Sequence, residues 1–167
     1  MATQAMIQKL NAQMNLEFYA SNLHLYLSDW CSENSLNGSA TFFRSQAQSN
    51  VTHMMRVFEF MKHVGANPIV KAFDKLEDDY SCLEELFQKT LEEFDQRYET
   101  LNKLAVEARA QQDSTTLHFL EDMGKEQLHD RELLKALAAE IDNARRAGLC
   151  PEQTDRHLLD IVNDQHH

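Results

Sequence analysis

The chain has 167 residues, 43% of them hydrophobic, and a formal net charge of −11. That length supports one domain with its own core and is short for two. The acidic balance excludes a nucleic-acid surface, which needs clustered Lys and Arg to displace phosphate counterions, and makes cations the expected partners.

Only four glycines and two prolines occur, and Val and Ile are sparse beside Leu, Met, Ala, Glu and Gln, so helices are expected throughout. The first predicted element is a helix over about residues 4–33. Its start, "MATQAMIQKLNAQMN", lacks the apolar centre of a signal peptide. Heptad spacing turns Ile7, Leu10, Met14, Glu17, Ser21, His24, Ser28 and Cys31 inward. Leu16, Tyr19, Leu23, Tyr26, Leu27 and Trp30 fall off that seam. They form more apolar surface than a monomer leaves wet, and a symmetric dimer face is the simplest cover.

Gly38 marks a corner before a second helix over about 39–65, with Phe43, Gln46, Asn50, His53, Val57, Phe60 and Val64 inward. Gly65 and Pro68 end it. The stretch "ANPIVKAFDKLEDDYS" is long enough to run the length of a bundle. It sets the third helix parallel to the second, in the up, down, down, up order of a crossover bundle. Ser81 and Glu84 form a capping box for that third helix, about 82–111, whose seam holds Thr90, Phe94, Arg97, Leu101 and Leu104. Asp113 or Ser114 caps a fourth helix over about 114–145, with Leu120, Gln127, Asp130 or Arg131, Leu134 and Ile141 inward. Gly148 and Pro151 introduce a short fifth helix, about 151–163. Cys31, Cys82 and Cys150 match neither a disulfide framework nor a zinc site. No run approaches the ~18 apolar residues of a membrane span. A single cytoplasmic all-α domain over 1–167 is the expectation.

In three of these helices the seam turns polar at mid-height. A buried carboxylate costs several kcal/mol unless a cation neutralises it. Glu17 and Asp130 at one level, with His53 between them, describe a metal pocket. Arg97 on the same seam offers the competing arrangement, a buried salt bridge in a helical scaffold without metal.

The segments "QMNLEFYAS", "THMMR", "YSCLEELFQ" and "FLEDMGKEQ" resemble bacterial non-haem ferritin over nearly the whole chain, in the form of a ferritin-like protein with a degenerate ferroxidase centre. The resemblance implies a ferritin-like four-helix bundle with a long crossover and a short fifth helix. It also implies a 24-subunit shell built from dimers, Fe(II) oxidised by oxygen or peroxide at an intrasubunit centre, and ferric iron held in the cavity. Residue by residue it makes Glu17, His53 and Gln127 metal ligands, with Asn50 and Asp130 where the family has glutamates.

On the third helix Phe94 replaces a glutamate ligand, and neighbouring Glu93 is expected to face solvent. The family's outlying third site becomes Ser49, Glu126, His129 and Asp130, with part of its charge lost. His24, seven residues and about 10.5 Å of rise from Glu17, is expected to steady a ligand or bound water rather than share its iron. Val51 stands where haem-binding relatives place a methionine, so no haem is expected. The implied function is iron storage with a slowed ferroxidase; a non-catalytic shell subunit that buffers iron is the alternative.

Overall fold

The computed structural model describes residues 2–76 and 78–165. They form α1 (Gln4–Glu33), α2 (Asn37–His63), α3 (Leu83–Ala110), α4 (Ser114–Arg146) and α5 (Pro151–Gln165), with no strand among the described residues. The expected five helices are therefore present, each end within two residues of its predicted place.

Local chemistry fixes those ends. Thr3 Oγ1 accepts from Met6 N (3.1 Å) to open α1, and Asp113 Oδ1 accepts from Thr116 N (3.2 Å) to open α4, each satisfying an otherwise orphaned amide. Gly65 (φ +84°) and Gly148 (φ +77°) adopt the left-handed conformation that closes α2 and α4.

Two expectations need correction at these corners. Gly38 is not a corner but lies in the first turn of α2, where α5 comes so close that a Cβ would stand 2.6 Å from the Asp155 carbonyl oxygen. The Asp155 carboxylate, buried with the rest of its side chain, accepts from Gly38 N and Ser39 N, both at 2.7 Å. An acid from the fifth helix thus caps the second. At α3 the reciprocal partner of Ser81 is Glu85 (Ser81 Oγ to Oε2, 2.6 Å) and not Glu84, which pairs with Arg145 at 2.8 Å.

The crossover between α2 and α3 lies along α1. Asn11 and Asn15 hold its backbone as a strand neighbour would: Ile69 N donates to Asn11 Oδ1 (2.8 Å), Lys71 N to Asn15 Oδ1 (2.7 Å), and Asn15 Nδ2 to Ile69 O (2.9 Å). Further on, Phe73 meets Phe18 and Tyr19 edge-on, Tyr26 Oη donates to Asp78 O, and Tyr80 stands against Trp30. The link thus travels from the start of α1 to its end, and α3 sets off parallel to α2. It also corrects the dimer-face expectation. Leu23 and Leu27 are buried, while Tyr19, Tyr26 and Trp30 pack against the chain's own core and crossover. Much of that apolar surface is covered from within.

Two hydrophobic clusters fill the bundle. One gathers Cys31, Phe42, Phe43, Phe87, Leu137 and Ile141; the other gathers Met6, Leu10, Met14, Met61, Leu101 and Met123. Between them in chain position on every long helix lie the buried polar residues Glu17, Asn50, His53, Arg97 and Gln127. A polar layer separates two apolar halves.

Candidate metal centre

Glu17 is the hub of that layer. It is fully buried, and three donor groups make four contacts with its carboxylate. Arg97 Nη1 from α3 lies 3.1 Å from Oε1 and 3.2 Å from Oε2. Gln127 Nε2 from α4 donates to Oε1 at 2.7 Å, and Asn50 Nδ2 from α2 to Oε2 at 3.0 Å. A buried charge is tolerated when paired and hydrogen-bonded, and Glu17 is both.

The surrounding residues extend the network. Asn50 Oδ1 faces His24 Nδ1 at 2.6 Å, so with the amide nitrogen donating to Glu17 the imidazole must donate through Nδ1. Burial, and after it the Arg97 charge, lowers the His24 pKa to about 3 against the opposing effect of Asn50. His24 therefore stays neutral, stacked on Phe43, and touches Asn50 rather than Glu17.

His53 is placed differently. Its Nδ1 points toward Glu17 Oε2 at 3.9 Å, too long for a hydrogen bond, and is buried without a partner. Its Nε2 lies 3.6 Å from Glu126 Oε2. Gln127 Oε1 is a second buried acceptor without a partner. Buried polar atoms left without partners are uncommon and call for an occupant such as a water or an ion. At the rim, exposed Glu126 is paired with Arg56. The half-buried Asp130 carboxyl is raised above its ordinary value by burial, against the opposing charges of His53, His129 and Arg97. Of the two candidates on that turn, Arg131 pairs with Asp95 at 2.6 Å, leaving Asp130 as the residue beside the layer. Ser49 is half-buried and His129 exposed.

Helix α3 brings the largest departure. Phe94 is buried, and the Arg97 guanidinium carbon stands 4.8 Å from its ring centroid. Glu93 does not face solvent: its side chain is 18% exposed, and Oε1 accepts from Arg97 Nε at 3.0 Å. The physical reason is the arginine one turn on, which draws the carboxylate inward. Among the described residues, no three His, Cys, Asp or Glu side chains converge closely enough to hold a metal by themselves. As placed, both carboxylates nearest His53 are held by arginines. Sequence reasoning missed Arg56, although it lies three residues after His53 on the same face, and missed Gln13, fully buried with its Nε2 3.4 Å from Arg97 O.

A crossover four-helix bundle with a short fifth helix and a polar layer at mid-height is the architecture of the ferritin-like class. The family model described as "Ferritin-like domain" matches residues 7–144, and the chain belongs to the ferritin family. It is similar along its full length to the bacterial non-heme ferritin-like protein of Escherichia coli strain K12, with 59% identity over 167 residues and all of both chains covered. It is 37% identical over 143 residues to the bacterial non-heme ferritin of Escherichia coli O6:H1, covering 86% of this chain and 87% of that one. Among solved structures, Chlorobium tepidum ferritin superposes with a TM-score of 0.84 at 22% identity, covering 98% and 96% of the two chains. The open-pore ferritin of Archaeoglobus fulgidus gives 0.87 at 21%, covering 95% and 98%. At those identities the structures speak to the fold alone.

Proposed function

We propose that this protein stores iron. In this reading it binds Fe(II) at the intrasubunit layer around Glu17 and His53, oxidises it slowly with oxygen or peroxide, and keeps ferric iron inside a closed homo-oligomeric shell. The observation that carries the reading is the pair of buried acceptors, His53 Nδ1 and Gln127 Oε1, without partners beside the Glu17 carboxylate. Both atom types bind first-row divalent metals. Asn50, Asp130, Glu126 and His129 complete the candidate set, with His24 fixing Asn50 from behind. Membership of the ferritin family and likeness to bacterial non-heme ferritins support iron as the metal.

Fewer anionic ligands weaken ferric binding more than ferrous binding, because the higher charge gains more from each carboxylate. Iron held this way leaves readily once reduced, which suits a quick-exchange reserve. Assembly draws support from apolar side chains still exposed on the α1–α2 face: Leu25 at 52%, Val51 at 43% and Met55 at 43%. A twofold copy would cover them in the first step toward a 24-subunit shell. Val51 offers no sulfur to a haem, and no haem is part of the proposal. No helix among the described residues is long and apolar enough to cross a membrane, in keeping with a cytoplasmic location.

One observation favours the alternative, a shell subunit that buffers iron without efficient oxidation: Glu17 is already neutralised by Arg97. Oxygen consumption during aerobic Fe(II) titration separates the two. Consumption faster than spontaneous oxidation supports the ferroxidase; saturable uptake at the spontaneous rate supports the passive shell; no uptake removes both.

A further inference from the structure

Arg97 is the residue whose placement the function above does not use. It is 2% exposed, at the centre of a bundle, and makes three kinds of contact with one guanidinium. Nη1 binds both oxygens of Glu17, Nε binds Glu93, and the guanidinium carbon lies above the Phe94 ring. The phenyl ring cannot bind a metal, but its face attracts a cation. Phe94, Glu93 and Glu17 together therefore form a seat for the guanidinium.

Charge counting gives that seat a consequence. Four carboxylates lie in and around the layer, Glu17, Glu93, Glu126 and Asp130, and two guanidiniums, Arg97 and Arg56, are paired within it. With all four carboxylates ionised, two negative charges remain uncompensated. That matches one divalent ion and not two. The unpartnered His53 Nδ1 and Gln127 Oε1 belong to α2 and α4, whereas on the α3 side the guanidinium of Arg97 engages Glu17 and one oxygen of Glu93, whose other oxygen, Oε2, is buried without a partner.

We propose that Arg97 is a built-in cation of this centre, holding Glu17 in place of a second metal ion and limiting the centre to one divalent ion on the His53 side. Arginine suits the task because it stays charged at any pH the protein meets and presents a fixed planar fork. Arg97 is then a positioning residue, acting on the metal through Glu17. The proposal rests on the assignment of the layer as a metal centre, and its test must be able to fail separately from that assignment.

Mn(II) added anaerobically to the assembled protein provides the test, followed by electron paramagnetic resonance and by melting temperature. Wild type at saturation should show isolated Mn(II) that is lost in His53→Ala, with no exchange-coupled pair. Arg97→Gln should bind Mn(II) about tenfold or more tightly, since a positive charge beside the ion has gone. It should also melt below wild type without metal and recover with it, whereas a purely structural arginine would leave a loss that metal does not repair. An exchange-coupled pair in wild type overturns the proposal even if Arg97→Gln fails to fold, as does equal affinity in wild type and Arg97→Gln. Absence of any His53-dependent Mn(II) in both proteins instead overturns the underlying metal assignment, and the proposal with it.

Discussion

His53 and His24 stand one helix apart and illustrate how placement divides the work of one residue type. His53 has a buried nitrogen with no partner, facing a carboxylate; His24 has its nitrogen committed to Asn50 and its ring stacked on Phe43. His53→Ala should abolish the tightest Fe(II) site with little loss of stability and leave the shell assembled. Unchanged affinity and stoichiometry in an anaerobic Fe(II) titration would remove His53 from the ligand set. His24 makes a different prediction. Its folded pKa is about 3 against 6.5 unfolded, so between those values the unfolded chain holds the extra proton. The stability that neutral His24 contributes is fully present above pH 6.5 and declines as pH falls toward 3, by up to about 5 kcal/mol. His24→Gln, which still offers an N–H to Asn50, should flatten that acid limb in urea denaturation measured across the pH range; an unchanged limb would mean that other groups dominate it. The sequence revealed which residues share the layer, because heptad spacing places them on one seam. It could not reveal that Arg97 takes Glu17 rather than leaving it for a metal, nor that Glu93 turns inward. The first depends on a contact between helices 80 residues apart in the chain; the second follows from it, because the buried Arg97 draws in Glu93 one turn earlier on the same helix.

At the scale of elements, helix extents were legible because capping residues and glycines mark them, and the crossover was legible from its length alone. What could not be read was Asp155, an ordinary helical acid in sequence, whose carboxylate receives two amides of α2. An acid at a helix N-terminus also meets the positive end of the dipole. Asp155→Asn should cost about 1–3 kcal/mol, with the loss concentrated where α5 docks. Hydrogen exchange should then show faster amides throughout α5 and the first turn of α2, while α3 and α4 keep their protection. Uniform acceleration across all five helices would show that the cap belongs to the global stability and not to the docking of α5.

For the whole molecule, the apolar face expected on α1 is partly covered by the crossover, and the exposed apolar residues lie on the α1–α2 face instead. Periodicity counts which residues point outward from a helix, but it does not know where a sixteen-residue link will lie. Val51→Arg should therefore block pairing of subunits without disturbing the monomer's fold. Light scattering should report a small species with an unchanged helical circular dichroism spectrum; a full shell from this variant would place the interface elsewhere. The central claim, storage, is tested most directly by counting iron. After aerobic loading with Fe(II) and removal of free iron, the protein should elute as a large shell carrying iron far in excess of one or two ions per subunit. Iron at or below that ratio, or iron separating from the protein on the column, would contradict a storage function whatever the centre binds.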